Sequence, residues 1–390
     1  MKSSQKMLNL EAKTKYKVPF GTVSITPEAR RLINECLDTK LVTRGKLVRE
    51  FERQFAKLFG TKEAVAMSSG ADADALALAA LYDYGAERGD EIIVPALSFV
   101  ATGNAVLQAG FKPVFVDVKK ETLNIDVDRI ERVISKKTRG IMPVHLMGKP
   151  AEMDRILSLA KKYRLHVVED AAEAHGAEYK GKKVGTFGDM AAFSLYAAHI
   201  VTTIEGGIVA TDDPEMAEIL RSLRNHGIVN KFEFRRIGFS AKMNEIEAAV
   251  GLGNIKIFDK ILQTRRRNLL YLIDKFKKFK HLFITIEESR GEKIGPHAFS
   301  VILRPDAPFT KEEMVDYLDQ SGVDSRNLFY SIPTQCLSYK FLKYKLGDFP
   351  EAEYCGDYGF HIGIHQDIEL EQLDYVMEVV EEFLREKRIR

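Results

Sequence analysis

Cysteine, net charge and long apolar runs are all scarce in this 390-residue chain. Its three cysteines, Cys36, Cys336 and Cys355, are odd in number and scattered. They read as free thiols of a reducing compartment, without the spacing of metal ligands, and they argue against a four-cysteine iron–sulfur cluster. The formal net charge is only +2, which gives no reason to expect nucleic acid or an acidic membrane surface as partner. The basic runs Arg265–Arg267 and Lys275–Lys280 read as solvated helix faces. No apolar run approaches the ~20 residues that a membrane helix needs. The start, Met1–Met7, is polar and followed by charges, so it does not read as a secretory signal, and a cytoplasmic location is the default expectation. Internal repeats and low-complexity linkers are also missing.

What is present is a globular balance, with 45% hydrophobic and 29% charged residues. A chain of this length exceeds what one hydrophobic core usually supports. Two domains are expected, a large one over 1–255 and a smaller α/β one over 256–390.

Thr26 followed by Pro27 predicts a helix start, with the helix running to about Thr39 and a second over Lys46–Leu58. Short apolar strands then alternate with helical patterns. Strands are expected at Ala64–Ser68, Glu91–Val94, Pro113–Val118, Thr138–Val144 and His166–Glu169. Helices are expected at Ala73–Tyr84, Phe99–Ala109, Asp126–Ile134 and Met153–Tyr163. Such alternation argues for a largely parallel sheet covered by helices, whose ligands bind at the C-terminal strand ends. Three segments fall there: Ser68-Ser69-Gly70, Pro95–Phe99 and Asp170–His175. A long helical stretch, Asn244–Phe276, leads to the C-terminal part, with a strand at Phe299–Leu303 and helices at Lys311–Ser321 and Leu370–Glu386.

Individually, the chemistry-bearing residues are weak signals. Gly70, between strand and helix, lets the backbone approach an anion that the helix N–H groups would cradle, but such turns are common. Asp170, ending a buried strand, would serve as a turn cap or hold a proton on a ligand nitrogen. His175 reads as a satisfied polar residue. His199 lies in the segment Phe193–Gly207 with no metal-ligand partner at i+3 or i+4, and by itself reads as a loop histidine near a turn. Thr202 and Thr203 are placed to hydrogen-bond locally.

Taken in order, these pieces resemble the sugar aminotransferase family of fold type I pyridoxal-phosphate enzymes (DegT/DnrJ type), known for its antibiotic and lipopolysaccharide sugar members. The resemblance covers nearly the whole chain. It runs through Phe51-Glu52 to Gly60, Ser68-Ser69-Gly70, Pro95–Phe99, Val144–Gly148 and Glu169–Ala172. It continues through Gly188-Asp189, Phe193-Ser194, Glu205-Gly206-Gly207, Arg224–Gly227 and Gly238-Phe239. The resemblance implies an α/β fold with a mixed, mostly parallel sheet in the large domain, and a homodimer sharing its active sites. It also implies roles. Asp170 would keep the pyridine nitrogen protonated, and Phe99 would stack on the ring. Ser69, Gly70, Ala71 and the Ser194 hydroxyl would hold the phosphate, and Glu173 would lie near the ring hydroxyl or the imine. Ser240 stands where the family often has a phosphate-binding asparagine from the partner subunit. Arg326 and His365 are candidates for contacts to the sugar nucleotide.

The main departure is His199, at the position of the family's Schiff-base lysine. This resembles the lysine-less branch, the 3-dehydratases of the GDP-4-keto-6-deoxymannose type. An imidazole moves protons near neutral pH but makes no stable covalent link to an aldehyde. The resemblance therefore implies non-covalent pyridoxal or pyridoxamine phosphate, glutamate as amino donor, and loss of the C3 hydroxyl from a nucleotide-linked 4-keto-6-deoxyhexose, with His199 as base and then acid. Two other readings stay open at this point: an aminotransferase whose lysine has been replaced, naturally or by design, and a non-catalytic regulator.

Overall fold

The computed structural model describes residues 16–389, and the polar start Met1–Met7 lies outside them. Seven strands make the central sheet: β1 (Glu63–Met67), β2 (Glu91–Pro95), β3 (Lys112–Val116), β4 (Thr138–Ile141), β5 (His166–Asp170), β6 (Met190–Ser194) and β7 (Gly207–Thr211). Their order is β1-β7-β6-β5-β4-β2-β3. From β6 to β3 all pairs are parallel, whereas β7 runs antiparallel to both β6 and β1. The fold is therefore α/β with a mixed, mostly parallel sheet. Its strands are buried on both faces, and that is why they read as short, continuous apolar runs.

Local sequence explains the helix boundaries. Thr26 caps Pro27–Thr39 by accepting from the Ala29 N–H at 3.1 Å. The next helix, Lys46–Phe59, starts at Gly45 without a side-chain cap of its own. Its first turn is held instead by the buried carboxylate of Glu245, which accepts from the N–H groups of Gly45, Leu47 and Val48 at 2.8–2.9 Å. The stretch expected as one helix over Asn244–Phe276 is two, Glu245–Lys256 and Phe258–Phe276, joined at Ile257 with φ −111° and ψ 10°. Asn254 in the last turn of the first bonds the Ser24 carbonyl at 3.1 Å and ties that end to the N-terminal segment.

The C-terminal part holds a four-stranded antiparallel sheet of β8 (Phe283–Thr285), β9 (Phe299–Leu303), β10 (Ser325–Asn327) and β11 (Gly359–Ile362), in the order β8-β9-β11-β10. Residues 16–22 run along it. Val18 pairs with Val323, the Phe20 N–H bonds the Asp324 carboxylate at 3.2 Å, and the Thr22 hydroxyl bonds Asp367 at 2.7 Å. Among the described residues, no helix is long and apolar enough to cross a membrane.

Strand β5 ends in two consecutive buried carboxylates with opposite surroundings. Glu169 accepts from the N–H groups of Gly185, Phe187 and Gly188 at 2.7–2.8 Å and pairs with His145 Nε2 at 3.1 Å. Burial alone would raise its pKa. The bond and charge of His145 and the backbone donors outweigh that, and the pKa is lowered. This carboxylate thereby pins the turn that leads into β6. A group with a lowered folded-state pKa stabilises above the ordinary carboxylate range and loses that contribution as pH falls. Glu169→Gln is therefore expected to cost about 2–4 kcal/mol in urea unfolding at pH 7, and the gap to the parent should shrink as pH drops below about 4.

Candidate active site

At the C-terminal end of β1, Ser69 caps the helix Gly70–Ala79, its hydroxyl accepting from the Asp72 N–H at 3.0 Å. The N–H groups of Gly70 and Ala71, first in that helix, have no intrahelical acceptor and point out of its positive end. Two glycines let other strands close on this point. A Cβ on Gly70 would lie 2.7 Å from Ser194 Cβ and 2.9 Å from its Oγ. A Cβ on Gly207 would lie 2.0 Å from the Ser69 carbonyl oxygen. So the end of β6 and the start of β7 converge on the helix start, and Ser194 stands directly beside Gly70. Backbone N–H groups and a hydroxyl at one helix N-terminus make a cradle for a phosphate-sized anion.

On the strand beside β6, Asp170 occupies the end of β5. Its Oδ2 accepts from Thr102 Oγ1 at 2.8 Å, and Thr102 is in turn bonded to Ser98 at 2.8 Å. Burial raises the Asp170 pKa, with the Thr102 and Ala172 bonds partly offsetting it. A carboxyl in this state is suited to share a proton with a ring nitrogen placed against it. The helix that supplies Thr102, Val100–Gln108, begins after Phe99, whose ring is 57% exposed and lies 5.5 Å from Phe329. An exposed aromatic at a strand end is a ready stacking face. Nearby Asp74 is buried with Oδ1 unpartnered, and burial plus the Asp170 charge raise its pKa strongly.

The segment between β6 and β7 is folded back on itself. The N–H of Thr203 and the hydroxyl of Thr202 both bond the Leu195 carbonyl at 2.9 Å, and the Thr202 hydroxyl also accepts from the Ile204 N–H at 2.9 Å. Ile204 sits at φ 77°, a region that β-branched residues rarely occupy. His199 lies in this loop with its Nδ1 buried and unpartnered. Its ring is 4.9 Å from His297 and 5.8 Å from His175. Burial and then the Arg265 charge lower its pKa to about 3, so the imidazole is neutral.

Glu173 accepts from the Met147 N–H at 2.7 Å. Burial first, and the Asp170 charge as well, push its pKa up to about 8 against the Met147 bond. On the other side, the Arg326 guanidinium lies 4.1 Å over the Phe20 ring, which packs against His297 at 6.0 Å and His361 at 5.2 Å. His365 is buried, its Nδ1 accepting from the Asp367 N–H at 3.3 Å, and burial lowers its pKa to about 4.

The structure thus gathers Ser69, Gly70, Ala71 and Ser194 at one point, Asp170 and Phe99 through Thr102 at a second, and His199 and Glu173 on either side of His297. Within one copy of the chain, Ser240 is not drawn in. Its exposed hydroxyl accepts only from Lys242, at 3.4 Å, although the adjacent Ala241 carbonyl takes the Ser68 N–H at 3.1 Å. Two expectations change. Arg265, read as part of a solvated face, is buried, and its guanidinium bonds the carbonyls of Ala198 and His199 at 3.0 and 3.4 Å. His175, read as satisfied, has a buried and unpartnered Nε2. His297 was not signalled at all, because a lone histidine before a strand has no motif around it. Among the described residues, no group of three or more His, Cys, Asp or Glu could hold a metal ion.

Comparison with known proteins places these features in a family. The model of the DegT/DnrJ/EryC1/StrS aminotransferase family matches residues 23–381. The chain is 34% identical over 361 residues to GDP-perosamine synthase of Caulobacter vibrioides, covering 91% of this chain and 95% of the relative. It is 32% identical over 376 residues to GDP-4-keto-6-deoxy-D-mannose 3-dehydratase of Escherichia coli O55:H7, covering 90% and 96%. A crystal structure of GDP-4-keto-6-deoxymannose-3-dehydratase with a trapped PLP-glutamate geminal diamine superposes with a TM-score of 0.85 at 31% identity, covering 93% of this chain and 99% of that one. The cofactor is pyridoxal phosphate or its amine form, and the residues present fit it: an anion cradle that a Cβ would fill, a buried carboxyl with a raised pKa at a strand end, and buried imidazole nitrogens without partners.

Gly70→Ala is expected to force Ser194 aside. Overpacking of about 1–3 kcal/mol should weaken pyridoxal phosphate binding about tenfold or more in an absorbance titration. The unfolding midpoint should fall only modestly, since alanine's better helix propensity, about 1 kcal/mol, offsets part of the overpacking.

Proposed function

Because the chain belongs to the DegT/DnrJ/EryC1/StrS aminotransferase family, we propose that it removes the C3 hydroxyl from a nucleotide-linked 4-keto-6-deoxyhexose, a 3-dehydratase reaction. The observation that carries this reading is His199: a neutral imidazole with a buried, unpartnered Nδ1 stands at the position of the family's covalent lysine. When bound, the cofactor supplies an amine that condenses with a ketone and an electron-accepting ring. The chain's own residues do the rest. Gly70, Ala71 and Ser194 hold the phosphate, Ser69 fixes the helix start, and Phe99 covers one ring face. Asp170 keeps a proton at the ring nitrogen. Glu173, whose pKa of about 8 leaves it largely protonated near neutrality, donates a hydrogen bond toward the ring hydroxyl. His199 takes a proton at carbon and returns one to the departing C3 oxygen, one imidazole serving as base and then as acid. Glutamate as amino donor is supported by the glutamate adduct in the solved dehydratase. Arg326 and His365 are assigned to the sugar nucleotide.

A second reading, amination at C4 with the C3 hydroxyl retained, is favoured by the 34% identity to a GDP-perosamine synthase. Product analysis separates the two. With a GDP- or dTDP-linked 4-keto-6-deoxyhexose and glutamate, a 3-deoxy-4-keto product is expected, and a 4-amino sugar bearing its 3-hydroxyl would sink the dehydratase reading. His199→Asn should retain pyridoxal phosphate in an absorbance titration and lower C3 deoxygenation about a hundredfold or more.

The proposal includes a homodimer, which lets a partner's Ser240 segment reach the phosphate cradle. Beside Ser240 the chain exposes Phe232 (88%), Phe234 (60%) and Ile237 (79%), more apolar surface than a free hairpin tip usually carries. Sedimentation of the parent is expected to report a dimer of the 44.1 kDa chain. Phe232→Ser with Ile237→Ser should shift it toward monomer and reduce cofactor retention. A parent that sediments as a monomer would refute the shared site.

A further inference from the structure

Beyond Arg265, five buried imidazoles, that of His199 among them, lie in the proposed site. The Nε2 atoms of His175 and His365 and the Nδ1 atoms of His199, His297 and His361 are all buried without a partner. An unpaired buried polar atom costs about 1–3 kcal/mol, and a row of them calls for an explanation. His297 is the one that touches two of the proposed site residues. Its Nε2 is 3.8 Å from Glu173 Oε1, and its ring is 4.9 Å from that of His199.

The backbone keeps it there. Gly295, two residues before His297, bonds the Gly148 carbonyl at 3.1 Å. A Cβ on Gly148 would lie 1.8 Å from the Gly295 carbonyl oxygen, and one on Gly295 would lie 2.5 Å from the His175 oxygen and 2.6 Å from the Ala177 nitrogen. The chain before β9 is thus wedged between the segment whose Met147 N–H holds Glu173 and the segment that carries His175. No side chain larger than hydrogen fits at either glycine, so the backbone leading into His297 is held close to the segments that carry Met147 and His175.

We infer that His297 is a positioning residue that couples Glu173 to His199, so that a proton arriving at His199 is balanced by a proton passing from His297 to Glu173. The inference rests on reading His199 as the proton-transfer group. Written out, one nitrogen of His199 gains a proton from the reacting carbon while its other N–H passes to His297. The Nε2–H of His297 then passes to Glu173 in its carboxylate form, the minor form near neutrality and the major one above about pH 8. Both imidazoles end neutral and Glu173 ends as the acid; the reverse sequence returns the proton to the departing oxygen. Neither link is a hydrogen bond at rest: the 3.8 Å gap to Glu173 exceeds one, and the His199 and His297 Nδ1 atoms have no partner across their 4.9 Å ring separation; such contacts tighten when the reacting complex forms.

The coupling answers a difficulty in the pocket's electrostatics. His199 faces the Arg265 charge, His175, His297 and the Tyr196 ring. His297 faces His199, His361, Arg265 and His175, with Glu173 as the carboxylate beside it. Glu173 faces Asp170 and the Met147 N–H, and Arg265 is itself bonded to Gln366 and faces Asp367. A positive charge left on His199 would be isolated among cationic and dehydrated neighbours. Passing it on to a carboxylate removes that cost.

The test uses the full chain in two forms. In cofactor-free protein with 15N-labelled histidine, Glu173→Gln is expected to move the imidazole nitrogen signals of His199. In a His297→Phe background the same change should leave them still. His199 signals unmoved by Glu173→Gln in the parent background would overturn the coupling. In the half-reaction of bound pyridoxal phosphate with glutamate, followed by stopped-flow absorbance, His297→Phe or His297→Gln should slow proton transfer about tenfold to a hundredfold. Each should move the acidic limb of its pH profile downward by about one unit or more. Glu173→Gln should do the same, and the double variant should be no slower than either single one. Losses that are uniform in pH, or that add, mean a structural role and reject the inference. The half-reaction does not depend on the sugar product, so a 4-amino product would remove the dehydratase reading and leave this result standing.

Discussion

Two adjacent carboxylates at the end of β5 organise everything around them. Consecutive residues of a strand point to opposite faces, so Glu169 and Asp170 enter different environments although both are buried. Glu169 is surrounded by three backbone N–H groups and His145 and is held charged. Asp170 has one hydroxyl and one N–H, and its pKa rises. The first ties the 185–188 turn to the sheet and sets the course of β6, hence the place of Ser194. The second is left to bind a proton. If Glu169 did not hold the turn, Ser194 would not meet Gly70, and the anion cradle would not close.

From that anchor the site is built by convergence on strand ends. β1 delivers the helix start, β2 leads to Phe99 and to Thr102, β5 delivers Asp170 and Glu173, and β6 delivers Ser194 and the His199 loop. The remaining wall comes from the C-terminal part, through His297 before β9 and Arg326 on β10, and from the N-terminal segment through Phe20. Arg326 and neutral imidazoles line that wall, a surrounding that suits an anionic cofactor. A neutral imidazole such as His199 sits in such a place without the cost of a buried charge.

Much of the architecture was legible in the chain because it rests on short-range rules. Thr26-Pro27 marked a helix start, short apolar runs marked the buried strands, and Gly70 after a strand marked a tight helix entry. The errors fell where a local pattern was overridden from a distance. Arg265 carries the charge of an exposed helix face but is buried, because the His199 loop folds over it and offers two carbonyls. The continuous pattern from Asn244 to Phe276 is broken at Ile257, where Asn254 is tied to Ser24 more than two hundred residues away.

By itself, then, the sequence determined the α/β alternation, the candidate cofactor residues Ser69, Gly70, Phe99, Asp170 and Ser194, and the presence of an imidazole at position 199. The alternation is written in residue types whose local geometry is nearly obligatory, whereas the cofactor residues, weak signals one by one, were marked by their resemblance to a family. Only the tertiary structure decided the state of those groups: which carboxylate is charged, which imidazole nitrogen is left without a partner, and that His297 stands between Glu173 and His199. Protonation and pairing depend on burial and on charges brought in from segments far apart in the chain, and no spacing within the sequence encodes them.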